Sequence, residues 1–292
     1  MTRLFALLLS LAFLFSPAAA EPLIHAHPAL WHVKGPKGEV YLLGSIHMLP
    51  DNIVWRTPAI NRAIKRANVF VFEVSTDQKA QAKIQTLVAE MGLLPAGQSL
   101  RAMLSPAAQA DFDAAIASAH LPPALVDHER PWLVSLQLLV AEGTAKHYSP
   151  DAGVDRAVMG IAEKAHKPMR YFETIEQQLK LLAGSGTDLQ LKEFESDLKD
   201  YQKDDDDLAP LIAAWSKGEA AKLAGLMNKE LADEPEVKQA LLTDRNKRWA
   251  LQIETMLEEK RVFFITVGAG HLAGPDGVPD LLRKAGYRVE GP

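Results

Sequence analysis

From Trp31 to Leu43 two short apolar runs flank Gly35-Pro36-Lys37-Gly38, and a Gly/Pro cluster between such runs predicts a hairpin. The second run, Val40-Tyr41-Leu42-Leu43, ends at Gly44-Ser45-Ile46-His47. Thr57-Pro58 then offers an N-cap followed by proline at the first helical position, so a helix is expected through about Ala67. Asn68-Val69-Phe70-Val71-Phe72-Glu73 is an apolar, β-branched and aromatic run that ends in a carboxylate. Strand, helix, strand predicts a βαβ unit with two parallel strands.

The middle of the chain is rich in Ala, Leu, Gln and Lys and reads as helical, with starts at Ser105-Pro106, Arg130-Pro131 and Ser149-Pro150-Asp151. One short strand interrupts it: Lys167 to Phe172 runs into Glu173-Thr174, where Thr174 can cap a helix carrying Glu176, Gln177, Gln178 and Leu179. Asp188 to Lys260 is again helical, with breaks near Pro210, Gly218 and Pro235, and so long a stretch suggests an insertion covering one side of the sheet. Arg261 to Val267 is the clearest buried strand and ends at Gly268-Ala269-Gly270-His271. A helix from Pro279 to Ala285, stopped by Gly286, and a closing strand at Tyr287-Arg288-Val289 complete an α/β pattern.

The first twenty residues set the compartment. Arg3 precedes an apolar run from Leu4 to Phe15, and the stretch closes on Ala18-Ala19-Ala20, the pattern of a secretory signal peptide cleaved after Ala20. The apolar run falls short of the roughly 18 residues a membrane anchor needs. The expected organisation is residues 1–20 as signal peptide and 21–292 as one domain, periplasmic or secreted, with no membrane span after cleavage. The chain has no cysteine, which excludes disulfides, thiolate catalysis and Cys-ligated zinc. The leader removes one of the 32 basic residues and none of the 37 acidic ones, so the formal charge moves from −5 to −6. Without a basic stripe to neutralise phosphates, nucleic acid is not an expected partner.

Several strands end in a residue of catalytic type: His47, Glu73, Glu173 and His271. Ligands of open α/β sheets bind beyond the carboxyl ends of parallel strands, so residues more than 200 positions apart can converge in one crevice. Each of His47 and His271 stands three residues after a glycine. Eighteen glycines and nine histidines in 292 residues would give about 0.6 such pairs by chance, so the position after a buried strand carries the weight. Two imidazoles and a carboxylate make an open ligand set for a hydrolytic metal. His271 is expected at an exposed strand end, where its loss would open no core cavity.

From about Trp31 to Val289 the chain resembles the TraB/GumN proteins, related to the Tiki-type Wnt metalloproteases. The resemblance is carried by Gly44-Ser45-Ile46-His47, Phe72-Glu73, Gly153-Val154-Asp155, Phe172-Glu173-Thr174 with Gln177, Arg245-Asn246, and Gly268-Ala269-Gly270-His271-Leu272 leading to Gly274. It implies a mixed central sheet flanked by helices, with a largely helical insertion. It also implies a site of two Gly-x-x-His motifs and a glutamate, transferred here to His47, Glu73 and His271. In the Tiki-type relatives these groups support metal-dependent peptide cleavage, with manganese or cobalt favoured. Zinc is a third candidate from the donor types.

An arginine at the position of Arg245 faces the active-site region in that family; it could bind an anion or an oxyanion, or form a surface salt bridge on a charged helix. Glu173 and Asp155 can serve function or simply cap helices. Ser45 is read as a supporting hydrogen-bond partner, His25, His27 and His32 as incidental, and Asp204 to Asp207 as a solvated helix end. The leading expectation is a metal-dependent hydrolase in which His47, His271 and Glu73 hold a divalent ion, a glutamate acts as general base and Arg245 stabilises negative charge. If Glu73 binds metal, Glu173 is the candidate base. Substrates are exported peptides, proteins or small molecules, and the oligomeric state stays open. The rival is a non-catalytic protein that binds a peptide or haem in the same crevice.

Overall fold

The computed structural model describes residues 22–184, 186–201, 206, 208–232 and 235–292. The expected cleavage site after Ala20 lies outside these residues, as do Asp204, Asp205 and Asp207. Six strands form the central sheet: β1 (Leu30–Lys34), β2 (Glu39–Ser45), β3 (Val69–Phe72), β4 (Met169–Tyr171), β5 (Val262–Gly268) and β6 (Arg288–Glu290), in the order β6-β1-β2-β5-β3-β4. The sheet is mixed. β6 with β1 and β1 with β2 pair antiparallel, and β2, β5, β3 and β4 run parallel.

The hairpin of β1 and β2 forms as expected, closed by the Gly35 N–H donating to the Gly38 carbonyl at 2.9 Å. β2 and β3 are parallel, again as expected, but they are not neighbours: β5 lies between them. The reason is burial. Phe263, Ile265 and Val267 face one side of the sheet and Phe264 the other, all of them buried. A strand apolar on both faces is stable only where both faces are covered, which is the centre of a parallel sheet.

The principal helices are α1 (Pro58–Arg66), α2 (Gln78–Met91), α3 (Pro106–Ser118), α4 (Pro131–Ala145), α5 (Val154–Lys164), α6 (Ile175–Ala183), α7 (Thr187–Tyr201), α8 (Leu208–Ser216), α9 (Ala220–Glu230), α10 (Asp244–Leu257) and α11 (Val278–Lys284). Thr57 caps α1 by accepting the Ile60 N–H, and Thr174 with Gln177 forms a reciprocal capping box on α6. Pro210 sits in the first turn of α8 rather than at a break, where its missing N–H costs nothing.

The helical segments do more than cover one side of the sheet. Ile60 of α1, Val158 of α5 and Trp215 of α8 pack on the face bearing Leu43, Phe70 and Phe264. Trp249, Ile253 and Leu257 of α10 and Leu282 of α11 pack on the opposite face against Leu42, Val71 and Ile265. Leu223 of α9 joins the first of these faces, and α2, α3, α4, α6 and α7 build cores of their own. Phe112, Leu138, Phe194 and Leu198 join α3, α4 and α7, and Leu87, Trp132 and Leu179 join α2, α4 and α6. Among the described residues no helix is long and apolar enough to cross a membrane.

Candidate active site

The four parallel strands release the chain at one edge. Ser45 at the end of β2 is in register with Gly268 at the end of β5, Val71 of β3 with Ile265, and Phe72 of β3 with Tyr171 of β4. The pairing continues past β3 and β4, with the Glu173 N–H donating to the Glu73 carbonyl at 2.9 Å. Gly268 lies in the middle of this edge. A methyl group placed on its Cα would stand 3.3 Å from Glu73 Oε1, 3.6 Å from His271 Cδ2 and 3.8 Å from His47 Nε2. His47 and His271, at opposite ends of the sequence, therefore face one point together with Glu73.

Glu73 is partly buried, its side chain 12% exposed, and both carboxylate oxygens have partners. Oε1 accepts the Gly268 N–H at 2.7 Å, while Oε2 accepts from Gln178 at 2.8 Å and from Arg245 Nη2 at 2.7 Å. Burial alone would raise its carboxyl; the Arg245 guanidinium, the Gly268 N–H and the cationic His47 ring outweigh burial and hold it below the usual range. Arg245 is 6% exposed, which excludes a surface salt bridge. Its Nε donates to both oxygens of Glu173 at 2.9 and 3.1 Å, Nη2 to Glu73 and to Glu173, and Nη1 to the Leu241 carbonyl and to His271 Nε2. All five N–H groups of the guanidinium are thus used, and this arrangement leaves none for a substrate oxygen. A π-helical turn over Gln239–Thr243 leads into α10 and brings the Leu241 carbonyl to Arg245. The guanidinium also stacks over Trp249, one turn further along α10, at 4.7 Å.

His271 is not at an exposed strand end. It lies in a single 3-10 turn, Ala269–Leu272, and is only 5% exposed, packed against the Trp249 ring at 4.3 Å. Asn246 donates from Nδ2 to the Asp276 carbonyl at 2.8 Å, so its Oδ1 is the acceptor that meets His271 Nδ1 at 2.6 Å. That network places the proton on Nδ1 and turns the Nε2 lone pair toward Arg245 and the pocket. Burial, reinforced by Arg245, lowers the ring's pKa to about 3, and it is neutral at physiological pH.

His47 is its electrostatic opposite. Nδ1 donates to Asp155 Oδ1 at 3.0 Å, and this bond is the main reason that its pKa is raised to about 9. The side chain is 64% exposed, so solvent screens part of that attraction. Asp155, in the first turn of α5, also accepts the Ser45 hydroxyl at 2.6 Å and donates its own N–H to Ser45 Oγ at 3.2 Å. Ser45 thus has the supporting role expected of it. Gly153 fits under the turn: a Cβ there would lie 2.4 Å from the His47 carbonyl oxygen. Gly153→Ala is expected to cost about 1–3 kcal/mol and to loosen the His47–Asp155 bond, read as a lower thermal midpoint and a His47 pKa closer to 6.5 by NMR. A variant with both values unchanged would contradict the close fit.

Two of these side chains stand outside the strand-end pattern. Gln177, one of the residues that carry the family resemblance, spends its side chain on the α6 capping box, and the next residue, Gln178, reaches Glu73. Trp249 stands four residues after Arg245, a spacing that puts both on one helix face and was there to be read. His32 stacks on Tyr41 and bonds Glu39, and Asp206 caps α8 and accepts from Tyr148, so neither joins the site.

A profile of the TraB/PrgY/gumN family matches residues 29–291. The chain belongs to that family. Among similar proteins of this kind, YbaP of Escherichia coli (strain K12), an uncharacterized protein, is 22% identical over 247 residues, which is 83% of this chain and 87% of YbaP. Metalloprotease TIKI1 of Homo sapiens is 33% identical over 127 residues, covering 40% of this chain and 24% of TIKI1. Metalloprotease TIKI2 of Xenopus tropicalis is 42% identical over 55 residues, covering 18% of this chain and 10% of TIKI2. No solved structure matches.

For this TraB/PrgY/gumN chain the donor chemistry fits a divalent ion. His47 Nε2 makes no hydrogen bond among the described residues, Glu73 Oε1 keeps a second lone pair, and the His271 tautomer offers Nε2. Among the described residues, however, no three such side chains are closed around a metal position. Arg245 takes up the His271 lone pair, and the imidazole nitrogen can ligate only when that contact is released.

Proposed function

We propose that this chain is an exported, metal-dependent hydrolase of peptides or proteins, with His47, Glu73 and His271 as the metal-holding residues. The observation that carries this reading is the convergence of His47 Nε2, Glu73 Oε1 and the His271 ring around Gly268, at the strand edge where α/β enzymes work. Two relatives that share a segment with this chain are named metalloproteases, and this supports the reaction class. The apolar, Ala-ended leader supports export.

A divalent ion bound there would supply Lewis acidity to a scissile carbonyl or a water. The chain's own residues set up the rest. Asp155 orients the His47 ring through Nδ1 and leaves Nε2 facing the pocket, and Asn246 does the same for His271 through its Nδ1. Arg245 and the Gly268 N–H keep Glu73 anionic, which suits a ligand better than a general base, whose ideal pKa lies near the working pH. Glu173 has both oxygens committed to Arg245 and anchors it.

The test combines metal analysis with digestion of a peptide library by the wild type, His47→Ala and Glu73→Gln. The expected result is metal-dependent cleavage lost in both variants, with metal content falling in each. Activity lost with full metal retention in Glu73→Gln alone would make Glu73 the base instead. Unchanged metal content and activity in both variants, or peptide binding with no cleavage by the wild type, would end the hydrolase reading.

Metal uptake should also be linked to protons. Below about pH 9 the free His47 is protonated, so a metal must displace a proton from Nε2, and affinity rises with pH up to that value. Titration calorimetry with Mn²⁺ at pH 7 in two buffers of different ionisation enthalpy should show release of about one proton. Heats independent of the buffer would remove His47 from the ligand set.

A further inference from the structure

The groups that hold Glu73 and the two imidazoles have little left for a ligand. Arg245 has no N–H to spare, and both oxygens of Glu173 are committed to it. Asn246 is buried between His271 and the Asp276 carbonyl, and the Asp155 carboxylate can only accept. Gln178 differs. A carboxylate offers no donor, so the side-chain amide must meet Glu73 Oε2 through Nε2, at 2.8 Å, and this fixes which end of it is left over. Oε1 and the second N–H of Gln178 have no partner among the described residues, and Oε1 is not sealed from solvent. A half-buried side chain in contact with Glu73 thus keeps both an acceptor and a donor.

We propose that Gln178 binds the main chain of a substrate peptide, its Oε1 accepting a substrate N–H and its second N–H donating to a substrate carbonyl. An extended residue presents its own N–H and C=O on one side, which is how antiparallel strands exchange a pair of hydrogen bonds. An amide with one acceptor and one donor unspent is complementary to that pair, and an ester lacks the N–H to complete it. A cleft of about 470 Å³ at the base of α6 gives a chain room to lie, lined by Thr174 and Gln177 on one side and by Ser75 and Ala80 on the other. Consecutive residues of α6 thus serve the cleft and the glutamate. The cleft carries both signs of charge, Lys79 and Lys83 with Asp77 and Glu173, so it favours no charged side chain and leaves the main chain as the feature to be read. The contact stands by itself; its use in placing a scissile bond rests on the hydrolase reading.

The test offers the immobilised full chain, in chelator, a degenerate library of short peptides and the same library N-methylated along its main chain, and measures the peptide retained. The wild type should retain the parent library at least about ten-fold better, the loss expected when a polar partner is left unpaired. Gln178→Met keeps the length of the side chain without its donor or acceptor. It should retain the parent library about ten-fold less than the wild type does and discriminate little between the two libraries, the signature of a direct pair in a double-mutant cycle. Its thermal midpoint should not change. Gln178→Ala, which only shortens a half-buried side chain, is the second variant, with the same expectation. Because the chelator removes turnover, the two readings fail separately: retention with no cleavage in Mn²⁺ would end the hydrolase reading and support this one. No retention by the wild type, or equal retention of the two libraries, would overturn it. So would variants that retain and discriminate as the wild type does; if these also took up less Mn²⁺, Gln178 would be a positioning residue for Glu73 and nothing more.

Discussion

Arg245→Ala is expected to lower the thermal midpoint at pH 7 by about 10 °C, corresponding to about 3–5 kcal/mol. The substitution removes the cation between the partly buried Glu73 and the buried Glu173, and strips His271 Nε2 and the Leu241 carbonyl of their donor. Breaking one side of a buried ion pair is costly because the other charge stays behind without compensation. The pH dependence identifies the cause. In the wild type the depressed Glu73 pKa gives stability that is present above the unfolded carboxyl value near 4.5 and is lost as pH falls below it. In the variant, burial without the cation raises the Glu73 carboxyl above its unfolded value, so the penalty is relieved as pH falls. The gap between the two proteins should therefore narrow from pH 7 to about pH 4. Arg245→Lys should restore part of the stability, since an ammonium keeps the charge without the planar fork that serves all four partners. A gap that stays constant across this range would mean that lost packing on Trp249, not charge, is what the arginine contributes.

The largest functional effect is expected from the smallest change, Gly268→Ala. The backbone at Gly268 (φ −47°, ψ 134°) is open to alanine, and the nearest atom to the new methyl is Glu73 Oε1 at 3.3 Å, a tight but tolerable contact. Folding should survive, with a thermal midpoint in chelator close to that of the wild type. The methyl would nevertheless sit among His47 Nε2, Glu73 Oε1 and the His271 ring, where the proposed ion and substrate atoms must come. Metal uptake and turnover should fall about 100-fold or more, the scale expected when reacting groups are displaced by about 1 Å. Wild-type metal uptake by a folded Gly268→Ala protein would show that the three side chains do not share a ligand.

The residues at the strand ends were legible because they follow apolar runs, and a parallel sheet collects its carboxyl ends on one side. The strand order was not. β5 enters between β2 and β3 through pairing with residues 223 and 194 positions earlier, and neither periodicity nor turn chemistry specifies a partner at that range. The two Gly-x-x-His motifs show the same limit at the site. They look alike in sequence, yet one imidazole is exposed and held cationic by Asp155, while the other is buried and held neutral among Trp249, Asn246 and Arg245. The difference lies in partners brought from α5 and α10, and local sequence does not carry it.

The central place of β5 has a consequence for how the protein comes into being. Until Val262–Gly268 has been synthesised, β2 and β3 have no strand to join them, and each keeps an open edge at which misplaced pairing can occur. Folding must wait for a contact of high sequence separation, which makes it slow compared with that of the helical segments, whose contacts are more local. A nascent chain that already carries His47 and Glu73 has neither the Gly268 N–H that anchors the glutamate nor the second imidazole. The site is assembled in one late event, and a polypeptide cut short before β5 does not carry a weakened site but none at all.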